Sequence, residues 1–279
     1  MLGFLKLTLL LMGSLLLTTM ALADLVVRER PAKLTLPAEY DSAKKYPLVV
    51  LLHGYGSNAN QTDAYLGGTR LQNKWDYILL TPEGTEDTSG RRFWNAAPEC
   101  CDFGRTGVDD SSYLQELIQL ASKSYSIDPN RIIVIGHSNG GFMAHRLACD
   151  APQLFSTIIP FAGVAAMDPD LCDAKGDLPN IIHIHGDADD VVPYLGSEFF
   201  LSAEESVQRW ALRHQCQESV SIPNAKKTTP GDRGQSIDIQ TYFDCASEKN
   251  VELWRVREGS HVPNFNFGFI DLISPVLTK

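Results

Sequence analysis

The sequence predicts an α/β protein built on one doubly wound, mostly parallel sheet flanked by helices. Three observations predict it. Six short β-branched segments, bounded by Gly, Pro or Asp, recur along the chain. Several are apolar at consecutive rather than alternate positions, as strands covered on both faces must be. Helical patterns fill the intervals, and alternating strands and helices imply one doubly wound domain.

The elements follow in order. YPLVVLLHG (46–54) is an unbroken apolar run that stops at His-Gly, and YILLTPEG (77–84) stops at Pro and Gly. SSYLQELIQLASKSY (111–125) has helical spacing, with Asp109 or Asp110 placed to cap it. RIIVIGHS (131–138) is a strand running into a helix-like FMAHRLACD, and FSTIIPFAG (155–163) and NIIHIHGD (180–187) are further strands. Ser202 opens AEESVQRWALRHQ with Glu205 three residues on, a capping box. SIPNAKKTTPGDRGQS (221–236) is polar and turn-rich and reads as a surface loop, after which VELWRVR (251–257) supplies the last strand.

Of 279 residues, 24 are Lys or Arg and 34 are Asp or Glu, a net charge of −10. A polyphosphate binder needs a basic face, so nucleic acid is excluded as the expected partner, and an anionic membrane surface is disfavoured. Residues 1–23 read as a signal peptide: Lys6, then LTLLLMGSLLL, then Ala21-Leu22-Ala23 at the cut. The expected mature domain is 24–279, with no later stretch apolar enough to span a bilayer. All six cysteines lie in it, which in an exported chain suggests disulfides. Their spacing is poor for a metal, so none is expected, and no cofactor is expected either.

Ligands of such sheets sit at the carboxyl ends of the strands. RIIVIG ends in Gly136-His137-Ser138-Asn139-Gly140, a G-x-S-x-G pattern between strand and helix. A tight turn there lifts the Ser138 hydroxyl onto a helix N-terminus, which makes it a candidate nucleophile. The hydroxyl needs a base, and the base needs an orienting acid; in α/β-hydrolases the chain order is Ser, acid, His. HIHGDADDVVPY supplies the acid. Asp187, Asp189 and Asp190 compete, and the H-G-x-x-D-x-x-V-P pattern selects Asp189, with Asp187 tying up the turn and Asp190 as runner-up. Of seven histidines only His261, directly after the last strand, has the order expected of the base. His183 and His185 lie inside a strand and read as packed core. His-Gly-Tyr-Gly at 53–56 offers the Tyr55 N–H which, with that of Asn139, could bind an oxyanion.

With these motifs in place the chain resembles the secreted poly(3-hydroxybutyrate) depolymerase and feruloyl esterase group of α/β-hydrolases. The resemblance runs from about Leu34 to Phe267 through LLHGYGSN, FWNAAPECC, GVDDSSYLQELI, GHSNGGFMAHRLAC, HGDADDVVPY and GSHVPNF. It implies the α/β-hydrolase fold and a secreted serine esterase with Ser138, Asp189 and His261 as nucleophile, acid and base. It also implies the disulfides Cys216–Cys245, Cys149–Cys172 and Cys100–Cys101. Where relatives carry G-G-G-H-x-W-P-G, this chain has EGSHVPNF and lacks the Trp. Trp94, Tyr194 and Phe265, in loops beside strand ends, are the expected substrate-binding side chains for an aromatic acyl or short hydroxyalkanoate ester. Only a short segment follows His261, so no separate polymer-binding module is expected, and soluble or oligomeric esters are favoured. A peptidase or thioesterase with the same triad, or a dead hydrolase turned binding protein, are the alternatives. Loss of a triad residue would mark the last, and none is lost.

Overall fold

The computed structural model describes residues 22–229, 234–265 and 268–278. Its elements are β1 (Leu22–Val27), β2 (Arg30–Thr35), β3 (Tyr46–Leu52), α1 (Ala59–Leu66), α2 (Gly68–Trp75), β4 (Ile78–Pro82), β5 (Thr85–Glu86), β6 (Arg92–Phe93) and α3 (Asp110–Ser124). Then come β7 (Ile127–His137), α4 (Asn139–Asp150), β8 (Thr157–Phe161), β9 (Asn180–Gly186), α5 (Ala203–Arg213), β10 (Glu218–Lys227), β11 (Ser236–Phe243), β12 (Val251–Val256), α6 (Phe269–Leu272) and α7 (Ser274–Leu277). The leader read over residues 1–23 lies outside the described residues except for its last two, with which β1 opens.

Ten strands form one sheet in the order β1-β2-β4-β3-β7-β8-β9-β12-β11-β10, and β5 pairs with β6 in a small separate ribbon. The six segments read as strands are the six central ones, β4 to β12 in that order, all mutually parallel. Their unbroken apolar runs have a direct physical cause. Successive side chains of a strand point to opposite faces. Leu48, Val50 and Leu52 of β3 enter one core with Ile132 and Val134 of β7. Val49 and Leu51 enter the other with Ile133 and Ile135. Helices α3, α4 and α5 cover the first core, and α1, α2, α6 and α7 the second.

Asp109, not Asp110, caps α3: its side chain accepts from Ser112 N at 3.0 Å. Asp110 is buried and paired with Arg30 at 2.6 Å. Both halves of the Ser202–Glu205 capping box form on α5. The expectation of a loop over 221–236 is corrected, because its first part, up to Lys227, belongs to β10, which pairs antiparallel with β11. β10 is an edge strand with nearly every residue exposed, so it carries no buried face and hence no apolar alternation to read. β11 beside it buries only Ile237 and Ile239. All six cysteines are paired as the resemblance implied: Cys100–Cys101, Cys149–Cys172 and Cys216–Cys245.

Candidate active site

The carboxyl ends of β3, β7, β9 and β12 meet on one rim of the sheet, and each contributes a short loop. Ser138 is the turn between β7 and α4. Its φ of 54° and ψ of −120° lie in a region that non-glycine residues rarely adopt, and the strain turns its side chain away from both elements. The backbone is held by Ser138 N–H donating to Phe161 O at 2.8 Å, while Ser138 O accepts from Gly141 N and Phe142 N. Two glycines make the close approach possible. A Cβ on Gly140 would stand 2.3 Å from Leu52 O, so only glycine lets the first turn of α4 pass against the end of β3. A Cβ on Gly54 would lie 3.2 Å from Ser138 Cβ, which places the β3 loop directly beside the serine.

Asp189 follows β9. Its side chain is fully buried, and Oδ1 accepts from the backbone N–H groups of Val191 and Val192, each at 2.9 Å. Its Oδ2 accepts from His261 Nδ1 at 2.7 Å. Burial by itself would raise this carboxyl, but hydrogen bonds from His185 and His261 outweigh it and hold Asp189 below the usual carboxylate range. His261 sits in the loop after β12. With Nδ1–H committed to Asp189, its Nε2 is left with the lone pair a general base needs. Ser138 Oγ is half-buried and has no hydrogen-bond partner among the described residues.

Four contacts fix the base loop. His137, the residue before the serine, bonds through Nε2 to His261 O at 2.9 Å, and its ring lies 5.0 Å from that of His261. Loss of water pushes His137 down to about 4, so it is neutral and donates. Tyr65 of α1 donates to Pro263 O at 2.8 Å. Ala188 N–H donates to Gly259 O at 2.9 Å, joining the acid loop to the base loop. Asp187 ties the turn, as read: Oδ1 accepts from Glu258 N at 2.6 Å and Oδ2 pairs with Arg255 at 2.8 Å. Asp190 is exposed and takes no part.

Neither the Tyr55 N–H nor the Asn139 N–H donates to any described residue. For Asn139, the first residue of α4, this follows from helix geometry. The Asn139 side chain has a role the motif did not announce. It exchanges two hydrogen bonds with the backbone of Trp94, at 2.7 and 2.9 Å, and so fastens the turn to the segment after β6.

The expected substrate-binding side chains are corrected. Trp94, Phe265 and Tyr194 are 0%, 1% and 5% exposed. Trp94 donates to His53 O at 2.9 Å and packs on the His53 ring; Phe265 packs between Tyr65, Phe161 and Phe269; Tyr194 meets the His185 ring edge-on. Large rings near a sheet rim gain more by completing the core than by facing water. The exposed apolar side chains beside the site are smaller or lie on other loops. Val191 and Val262, within two residues of Asp189 and His261, are 57% and 54% exposed. Phe103 is exposed and stacks edge-on against Tyr55. No sequence signal distinguishes such residues from ordinary loop positions.

A family model described as phospholipase/carboxylesterase matches residues 38–221. The chain is 24% identical to feruloyl esterase B of Piromyces equi over 237 residues, which is 81% of this chain and 41% of that enzyme. The chain thus spans less than half the length of the first curated relatives it matches. Among solved structures it is similar to an acetyl xylan esterase from Aspergillus awamori, with a TM-score of 0.65 and 15% identity over 88% of this chain and 99% of that one. It is also similar to the feruloyl esterase module from Clostridium thermocellum complexed with sinapinate, with a TM-score of 0.60 and 14% identity over 93% and 87% of the two chains. At these identities the structural likeness is one of fold, the α/β-hydrolase fold.

Proposed function

Because the chain belongs to the phospholipase/carboxylesterase family, we propose that it is a serine carboxylic-ester hydrolase that works through Ser138, His261 and Asp189 and an acyl-enzyme. One observation carries the reading. The His261–Asp189 hydrogen bond of 2.7 Å leaves Nε2 of the ring free, on the same rim of the sheet as a serine held in a strained strand-to-helix turn.

The steps follow from the donors and acceptors present. Ser138 Oγ attacks the ester carbonyl carbon, and its proton passes to His261 Nε2. The carbonyl oxygen becomes an oxyanion, for which the N–H groups of Tyr55 and Asn139 are the available donors; one such donor is worth roughly 10²–10³ in rate. The imidazolium formed is stabilised by the buried Asp189 carboxylate. The tetrahedral species collapses as the C–O bond to the alcohol breaks and His261 returns the proton to the departing oxygen. Water then repeats the sequence on the acyl-enzyme, releasing the acid and restoring Ser138.

The substrate reading is a hydroxycinnamoyl ester or a short soluble hydroxyalkanoate ester. The exposed Phe103, Val191 and Val262 beside the site support an apolar acyl group, as does the likeness to proteins described as feruloyl esterases. The disulfides support export to an oxidising compartment. The test is labelling with a fluorophosphonate, followed by a comparison of rates on methyl ferulate, p-nitrophenyl butyrate and hydroxybutyrate oligomers. Labelling in the parent and none in Ser138→Ala is expected. An unlabelled parent would overturn the proposal.

A further inference from the structure

Four polar rings cross the buried core between α5 and the acid loop, and the reaction just described uses none of them. Trp210 of α5 donates from Nε1 to His145 Nδ1 at 2.9 Å. His145 of α4 bonds through Nε2 to His183 Nδ1 at 3.2 Å, and His183 of β9 through Nε2 to His185 Nδ1 at 3.1 Å. His185 Nε2 then lies 2.8 Å from Val192 O and 3.3 Å from Asp189 Oδ2. All four residues are buried, at 2% exposure or less.

The direction of this row follows from chemistry alone. An indole N–H can only donate, so His145 must accept at Nδ1 and carry its proton on Nε2. That proton has the Gly163 backbone as a second partner, yet at 3.2 Å it faces His183 Nδ1 and leaves that atom no room for a hydrogen, so His183 accepts at Nδ1 and donates from Nε2, and the same rule passes to His185. The last N–H therefore points at Val192 O and at Asp189 Oδ2, the oxygen that accepts from His261. A second proton on any ring would set N–H against N–H and break a buried bond, so the row admits neutral imidazoles only. Burial acts the same way, pressing His145 down to about 3 and His183 well below its ordinary value. Period two explains how β9 does this, since His183 and His185 project from one face toward α4 and α5.

We propose that Trp210, His145, His183 and His185 form a one-way hydrogen-bond chain that holds the Asp189 carboxylate and through it orients the His261 ring. They are positioning residues, and the proposal rests on reading Asp189 and His261 as acid and base. Apolar rings would fill the same volume with no polar atoms to satisfy, whereas a buried polar row holds only if every member is bonded. Packing does not explain why the row ends on the same carboxylate oxygen as His261. The chain has a plain mechanical effect. With Val191 and Val192 N–H fixing Oδ1 and the His185 N–H set against Oδ2, the carboxylate cannot rotate, and His261 is kept in the Nδ1–H tautomer.

Two measurements test this. Nitrogen-15 spectra of histidine-labelled protein at neutral pH should show His145, His183 and His185 all as the Nε2–H tautomer. An Nδ1–H tautomer or an imidazolium at any of them overturns the chain. The second is kinetic, on enzyme counted by fluorophosphonate titration. Glutamine can place an N–H close to the Nε2 position, while leucine cannot. His185→Leu should lower kcat about 10–100-fold, as loss of a partner behind a reacting group commonly does, with KM unchanged, and His185→Gln should recover most of it. Equal damage in the two variants, or unchanged kcat in His185→Leu, overturns the proposal. Should the leucine variant fail to fold, Trp210→Phe removes the N–H that sets the direction. It should lower kcat and mix the tautomers, and a parent-like result in both overturns the proposal. Failure of the triad reading would look different: Asp189→Asn or Ser138→Ala would stay active whatever the tautomers.

Discussion

Replacing Asp189 by asparagine turns one oxygen of a fully buried carboxylate into an NH₂ group, and the surroundings decide which one. If the NH₂ took the Oδ1 position, it would face the Val191 and Val192 N–H groups, and both would lose their acceptor, at about 1–3 kcal/mol for the buried Val192 N–H and less for the part-buried Val191 N–H. If it takes the Oδ2 position, those bonds survive and the NH₂ faces His261 Nδ1. His185 Nε2–H still has Val192 O at 2.8 Å. The second arrangement wins, at the expense of His261, whose Nδ1 must now accept. The imidazole proton moves to Nε2, and the nitrogen facing the substrate side can no longer take the serine proton. Turnover should fall about 10³–10⁴-fold, as the same tautomer reversal does in serine proteases, or about 4–5.5 kcal/mol of barrier. The melting temperature should move little. The assay is p-nitrophenyl butyrate hydrolysis by purified variants alongside Asp187→Asn and Asp190→Asn. Asp187→Asn weakens a pair with the half-exposed Arg255, worth about 1 kcal/mol or less, and should lose less than tenfold. Asp190 is exposed, and its variant should stay within about twofold of the parent. If Asp190→Asn or Asp187→Asn proves the most damaging, the acid is misplaced and the reasoning fails.

Three further outcomes are expected. Ser138→Ala should abolish ester hydrolysis with the fold unchanged, and activity within about tenfold of the parent would refute the nucleophile, since loss of a triad serine costs far more. Acid should destabilise the fold: burial holds His53 at about 4 and His145 at about 3, against roughly 6.5 in an unfolded chain. Because the folded values are the lower ones, the unfolded state binds the extra protons. Stability is full above about pH 6.5 and falls toward pH 4 by about 1.4 kcal/mol per pH unit for each such histidine, so an unchanged urea midpoint between pH 7.5 and 5 would refute it. The Cys216–Cys245 bridge, spanning 29 positions, should contribute roughly 3–4 kcal/mol on the chain-entropy model. Its reduction should lower activity at a temperature below bulk melting, and a thiol count near six on denatured, unreduced protein would end the disulfide assignment.

How far the fold could be read depended on which faces of each strand are buried. β3, β4 and β8 are buried at every position and announced themselves as apolar runs. β10 has its face in water and looked like a loop, although it pairs antiparallel with β11 on both sides of an irregularity between Ile222 and Lys226. The distinction is energetic. A central strand must exclude polar side chains that find no partner, since an unpaired buried one costs more than a strand's propensity can return. An edge strand draws on backbone hydrogen bonds that any sequence can make, so its composition carries little record of its conformation.

The site divides along the same line. Ser138, Asp189 and His261 stand out in the sequence as candidates because each lies where a loop has no freedom: the strained turn after β7, and the paired loops after β9 and β12 that Ala188 and Gly259 join. Residues that meet the substrate are under no such constraint, and large rings expected there, Trp94 and Phe265, were drawn into the cores instead. The histidine row shows the opposite case. His183 and His185 read correctly as core residues, yet a core position says only that polar atoms must find partners. Which partners they find depends on His145, 38 positions before His183 in the chain, and on Trp210, 65 positions after His145. One sequence cannot state that coincidence. Three-dimensional placement states it, and ends the row on the carboxylate that the strand-end motif had already singled out.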